Sequence, residues 1–209
     1  MRVLLGTTNP SKVKRFSDLL KGYDIEFITL RDIEVIEEPK EMGNTPEENA
    51  IMKAEFYVQY FDVVICNDSG LYFEELDFED LRQPGLNIRT PMNMDRLSDE
   101  EMIDYYSKLI AGLGGKVTAY YLDGIAVYNH GVISSFMDNM AAQKNGLFYM
   151  IDKASSKRFE GWPLDSLSIN KENGKYFVDG SIEESKENII KDQYQKSVVD
   201  FLIKSLHIA

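Results

Sequence analysis

The sequence predicts an α/β protein, and three observations carry that prediction. Over residues 1–72, short apolar runs alternate with amphipathic stretches, giving strand, helix, strand, helix, strand. From about residue 115, consecutive strand-like runs follow one another as in a meander. No linker-like composition separates the two stretches, so the 209 residues read as a single domain with two lobes around a central cleft. Residues 1–72 with the C-terminal helix form the first lobe, and residues from about 115 to 180 the second.

Taken in order, Arg2 to Gly6 is apolar and reads as a short buried strand. Asn9-Pro10-Ser11 is a helix start, with Asn9 at the cap and Pro10 just inside it. Val13, Phe16, Leu19 and Leu20 then give one buried face. Ile25 to Leu30 is a second strand, followed by an acidic loop from Ile33 to Met42. Thr45-Pro46-Glu47-Glu48 opens another helix, with a hydroxyl cap, proline at the first position and a glutamate placed to close a capping box. Ala50, Ile51, Ala54 and Tyr57 face inward, and the helix ends near Tyr60. Val63-Val64-Ile65-Cys66 is a strand expected to terminate in Asn67-Asp68-Ser69-Gly70.

Further on, Asp99 to Leu113 is helical. Val117–Leu122, Gly124–Tyr128, Gly131–Met137 and Gly146–Met150 read as four strands, and residues 157–170 as an irregular loop. A final amphipathic helix spans Ile189 to Leu206.

The totals exclude several functions. A chain that is 44% hydrophobic and 28% charged can build a core. A net charge of −12, from 35 acidic against 23 basic residues, argues against binding a nucleic acid polymer, which takes a basic face. No apolar run is long enough to span a bilayer, and the start of the chain stops being apolar too early for a signal peptide. The single cysteine, Cys66, forms no internal disulfide, so a cytoplasmic location is expected. With 2 histidines, a bound metal would have to be held by carboxylates, which favours magnesium or manganese.

Three constellations can carry chemistry. Thr7, Asn9 and Lys12 surround a helix N-terminus, where unpaired N–H groups and the positive dipole end suit phosphate oxygens. The spaced glycines of a P-loop are missing, and a capped helix with an exposed lysine is the plainer reading. Asn67-Asp68-Ser69-Gly70 follows a buried strand, where α/β sheets place ligands. Asp68 there could hold a metal or activate water, or the segment could be an ordinary turn. The acidic loop offers Glu37, Glu38 and Glu41, with Lys53 nearby in the second helix, although charge runs are usually solvated surface.

Thr7-Thr8-Asn9-Pro10-Ser11-Lys12, Gly43-Asn44-Thr45-Pro46-Glu47-Glu48-Asn49-Ala50-Ile51-Met52-Lys53-Ala54 and Asn67-Asp68-Ser69-Gly70-Leu71 occur in this order. Together they resemble the inosine/xanthosine triphosphate pyrophosphatases, over about residues 1–72. The resemblance implies an elongated mixed sheet with flanking helices and a homodimer. It also implies magnesium-assisted (or manganese-assisted) hydrolysis of non-standard purine nucleoside triphosphates to the monophosphate and pyrophosphate. Asp68 and Lys12 would be catalytic, and Asp68, Glu41 and Glu38 would hold the metal. Thr7, Thr8, Asn9, Lys12, Lys53, Ser69, Gly70 and Trp162 would bind substrate.

There are departures. Asn67 stands where the family has an acid, the metal-loop glutamate falls at or beside Lys40, so that Glu41 takes its place by a one-residue shift, and Arg15 stands where a glutamate is common. The base-reading triplet is replaced by Lys191-Asp192-Gln193, its neighbouring lysine is displaced to Lys186 or lost, and Phe159-Glu160-Gly161-Trp162 only echoes the late aromatic element. Base choice and ribo or deoxy preference are therefore open. The rival expectation is a nucleotide-binding or sensing protein that has lost turnover.

Overall fold

A computed structural model of the chain describes residues 1–137, 146–159, 161–180 and 189–208. It is a mixed α/β fold, with seven strands in the order β2-β1-β3-β4-β6-β7 and β5 also on β4 among the described residues. The strands are β1 (Arg2–Leu5), β2 (Glu26–Thr29), β3 (Val63–Phe73), β4 (Lys116–Asn129), β5 (Val132–Met137), β6 (Phe148–Ile151) and β7 (Ser168–Ile169). The helices are α1 (Pro10–Leu19), α2 (Pro46–Tyr57), α3 (Asp99–Gly112) and α4 (Ile189–Leu206). Among the described residues, no helix is long and apolar enough to cross a membrane.

The chain divides into two compact units. The first comprises Met1–Ser69, Asp123–Asn139 and Asp192–Ala209; the second, Gly70–Leu122 and Met140–Lys191. Strands β3 and β4 each contribute to both.

In the first unit, β1 runs parallel to β2 and β3, while β5 runs antiparallel to β4. Strand residues point alternately to the two faces. Val3, Leu5, Val63, Ile65, Ile125 and Val127 therefore pack with Phe16 and Leu20 of α1 and Val198, Leu202 and Leu206 of α4. Leu4, Val64, Cys66 and Ala126 turn the other way, onto Ala50, Ala54 and Tyr57 of α2. A sheet covered on both faces explains why these strands read as continuous apolar runs.

Both helix starts are built as the sequence predicts. Asn9 Oδ1 accepts from the Ser11 N–H at 2.9 Å, and Thr45 Oγ1 accepts from the Glu48 N–H at 3.1 Å. The Glu48 carboxylate, however, accepts from the N–H of Asn44, one residue before the cap, rather than closing the box on Thr45. Helix α2 ends at Tyr57, a turn before Tyr60.

In the second unit, β4 pairs antiparallel with β6, and β6 with β7. Leu71, Phe73, Val117, Ala119, Phe148 and Met150 face Met102, Ile103, Tyr106 and Ile110 of α3. The segment predicted as irregular, 157–170, contains a 3-10 turn at Pro163–Ser166 and the short strand β7.

Two boundaries differ from the sequence reading. Strand β3 does not stop at Cys66 but continues through Asn67-Asp68-Ser69-Gly70 to Phe73. The polar residues stay in the strand because they bond sideways to the start of β4's first-unit segment: Asn67 Nδ2 donates to the Gly124 carbonyl at 3.1 Å, and Ser69 Oγ to Asp123 Oδ1. Likewise, Val117–Leu122 and Gly124–Tyr128 are one strand. Gly124 is no breaker: a side chain there would collide with the backbone of Pro46 and Glu47 at the start of α2, so only glycine permits that approach.

Candidate functional site

Four elements of the first unit bring the candidate residues together: the β1–α1 turn, the start of α2 with its preceding loop, the Asn67–Ser69 stretch of β3, and Asp123 of β4. Gly6, whose missing side chain leaves room for Cys66 and Tyr57, ends β1 against β3 through its N–H to the Ile65 carbonyl at 2.9 Å. The chain then turns, and Thr7 Oγ1 accepts from the Asn9 N–H at 3.2 Å. Because Asn9 uses its carbonyl oxygen to cap α1, its NH2 group remains a donor without a partner among the described residues. The Thr7 hydroxyl proton is likewise uncommitted. Both are suited to an anion at this helix N-terminus. Thr8 is exposed and contributes no hydrogen bond to a described residue.

Alternation along β3 sorts its polar residues between two helices. Asp68 shares the face of Val64 and Cys66 and meets α2. Its Oδ1 takes the Lys53 ammonium at 3.1 Å, and its Oδ2 accepts from Asn49 Nδ2 at 2.9 Å. Asn49 is itself locked, since its Oδ1 accepts from the Gly43 N–H at 2.8 Å. Lys53 also reaches Glu41 Oε2 at 3.0 Å. Partial burial alone would lower the Lys53 pKa, but Asp68 and Glu41 outweigh it and raise the value.

Ser69, on the opposite face, donates to Asp123 Oδ1, and Asp123 Oδ2 accepts from Arg15 Nη1 at 2.7 Å. Burial pushes the Asp123 pKa up; Arg15, the Ser69 hydroxyl and Lys12 together overcome it and leave the carboxyl below its ordinary value. Lys12 lies one turn before Arg15 on α1 and donates to the Asn67 carbonyl oxygen at 3.5 Å. Desolvation first, then the charge of Lys53, lowers the Lys12 pKa, with Asp68 and Asp123 opposing.

Asp68 and Glu41 meet through Lys53; Glu38 is exposed and joins no ion pair among the described residues. No group of three His, Cys, Asp or Glu side chains converges among the described residues. The donor set nonetheless fits a hard divalent cation. Magnesium is commonly held by one or two carboxylates, with water and substrate phosphates completing its shell, and the Lys53 ammonium already stands as a cation shared by two carboxylates.

Gly70 and Trp162 belong to the second unit. Trp162 is partly buried, with its backbone N–H on the Phe159 carbonyl, and it precedes the turn that carries Asp165. Burial raises the Asp165 carboxyl to about 6. Lys186, Glu160 and the side chains of Lys191, Asp192 and Gln193 lie outside the described residues.

Three contributors had no assigned role at the sequence level. Asn49 sits within a quoted motif, and its signal is a polar residue on the inward face of α2. Arg15 stood out only as a departure. Asp123 is a lone acid inside the apolar run Tyr120–Val127.

These features define a class: an α/β protein with an anion-receptive helix start beside two carboxylates bridged by a lysine. Comparison with known proteins narrows it. The model of the Ham1 family matches residues 3–142, well beyond the stretch where the motifs lie, and the chain belongs to that family. The dITP/XTP pyrophosphatase of Thermoanaerobacter pseudethanolicus is 38% identical over 87 residues, covering 41% of this chain and 42% of that protein. The dITP/XTP pyrophosphatase of Bacillus anthracis is 40% identical over 77 residues, 36% of this chain and 38% of that one. The matched stretch thus spans about two-fifths of the length of these curated relatives.

Among solved structures, the Staphylococcus aureus Ham1 protein aligns with a TM-score of 0.70 at 21% identity, covering 97% of this chain and 98% of its own. A HAM1 protein from Coxiella burnetii aligns with a TM-score of 0.73 at 18% identity, covering 98% and 99%. At these identities the likeness establishes the fold.

Proposed function

We propose that the chain is a nucleoside triphosphate pyrophosphatase that hydrolyses non-standard purine nucleotides of the dITP/XTP kind to the monophosphate and pyrophosphate. The observation that carries this reading is the Asp68–Lys53–Glu41 group beside Lys12 and the α1 N-terminus. The names of the curated relatives support it.

In this mechanism, the Thr7 hydroxyl, the Asn9 amide and the α1 N–H groups bind phosphate oxygens, with Lys12 and Lys53 supplying positive charge. Asp68, held by Asn49, receives the proton of the attacking water. A magnesium ion held by Asp68 and Glu41 would neutralise the triphosphate and polarise the phosphoryl group under attack. The chain's own work is placement and electrostatic stabilisation. A cytosolic homodimer is part of the same proposal, from the resemblance and the single cysteine.

Pyrophosphate release from purified dITP, XTP and ITP with magnesium tests the activity; no turnover on any triphosphate refutes it. Asp68→Asn and Lys12→Ala should each lower turnover by roughly 100-fold or more with the far-ultraviolet circular dichroism unchanged. Nucleotide binding by calorimetry without hydrolysis would favour the sensing protein instead.

A further inference from the structure

Ser69 has one hydroxyl proton, and Asp123 holds it. The acceptor is a carboxylate oxygen 2.5 Å away, and its partner oxygen is fixed by Arg15 at 2.7 Å. The Asp123 and Arg15 side chains are 14% and 26% exposed, so this ion pair is largely shielded from water and its geometry is defined from both ends. A hydroxyl that donates to an anion keeps its lone pairs for other partners. Phosphate oxygens of a triphosphate only accept hydrogen bonds, so Ser69 in this state has no proton to offer them.

We propose that Asp123, anchored by Arg15, is a positioning residue that turns Ser69 into a hydrogen-bond acceptor, and that Ser69 so oriented accepts a hydrogen bond from the hydrolytic water, whose transferred proton goes to Asp68, and does not donate to a phosphate group. The placement is consistent with this. Ser69 is partly exposed on the face of β3 opposite Asp68, and Lys12, one helical turn from Arg15, reaches the Asn67 carbonyl and feels the charge of both Asp68 and Asp123, so the pair links the β3 residues to the phosphate-facing helix. In this arrangement Asp123 acts through Ser69. This assignment rests on the pyrophosphatase reading above.

The test is a kinetic cycle on dITP hydrolysis with wild type, Asp123→Asn, Ser69→Ala and the double variant, with thermal melting of each. Each single change is expected to lower kcat by about 10- to 100-fold, a loss of orientation, and to leave KM within about threefold. The double variant should lose no more than the worse single variant, because Asp123 works through Ser69.

Should Asp123→Asn fail to fold, Ser69→Ala decides alone: a fall in kcat at steady KM supports the assignment. A rise in KM at steady kcat makes Ser69 a phosphate ligand and overturns it. Unchanged kinetics in either folded single variant, or independent multiplication of the two effects, overturns it as well while leaving the pyrophosphatase reading intact. A wild-type chain without turnover removes both.

Discussion

Replacing Lys53 with methionine keeps most of the side-chain volume and removes the cation that Glu41 and Asp68 share. Lys53 Nζ lies 3.0 Å from Glu41 Oε2 and 3.1 Å from Asp68 Oδ1, so those oxygens are at most about 6 Å apart. Two negative charges at that separation repel by roughly 3 kcal/mol at an effective dielectric constant of about 20. The Glu41 side chain is 40% exposed and can swing into water, which reduces the cost to about 1–2 kcal/mol. For a chain of this size, each kcal/mol is worth about 2–4 °C in Tm, so Lys53→Met should melt roughly 2–8 °C below wild type.

The same two carboxylates, freed of the ammonium, become a better site for a divalent cation. Magnesium at about 100 times its Kd adds about 2.7 kcal/mol, enough to restore the loss. Melting of Lys53→Met should therefore rise with magnesium and not with matched sodium chloride, and the further change Glu41→Gln should abolish the rise. A Lys53→Met protein that melts like wild type, or that ignores magnesium, refutes the argument that these carboxylates form a cation site.

Other consequences are separable. Asn67→Asp matches the family's paired acids yet should destabilise by about 1–3 kcal/mol, because Nδ2 donates to the Asp68 and Gly124 carbonyls and a carboxylate would face both. Urea denaturation measures it, and unchanged or increased stability contradicts the account. Gly124→Ala should cost about 1–3 kcal/mol by the same assay, since the methyl meets the Pro46–Glu47 backbone; a neutral change would show that the approach of α2 to β4 is loose.

Asp165 gives a pH signature. Its carboxyl is raised to about 6 by burial, so the folded chain holds the proton more tightly than the unfolded chain. Ionisation then costs stability progressively from about pH 4, the unfolded-state value, to about pH 6, and fully above that. Asp165→Asn should stabilise at pH 8 by up to about 3 kcal/mol and confer nothing of this below pH 4. Equal gains at both pH values would rule out the titration as the cause.

Much of the first unit was legible in the chain. Asn9 and Thr45 cap their helices as read, because a cap is a local bond between residues two or three apart. The apolar runs of β1 and β3 announce strands buried on both faces. The three motifs, far apart in the chain, come together in the fold, where Lys12, Lys53 and Asp68 share an electrostatic environment. The glutamate-rich loop sequence does not distinguish Glu38 from Glu41; in the fold Glu41 pairs with Lys53 while Glu38 is exposed.

What the chain order could not contain is the pairing of β3 with β4. Ser69 and Asp123 are 54 residues apart, and Arg15 and Asp123 108 apart. Ser69, Asp123, Ile125 and Val127 face α1, while Asp68 faces α2, only because the register sets each strand's alternation. Composition and local pattern determined the elements, their caps and the kind of chemistry. Long-range register decided that Asp68 is held by Asn49 and Lys53, and that the proton of Ser69 belongs to Asp123.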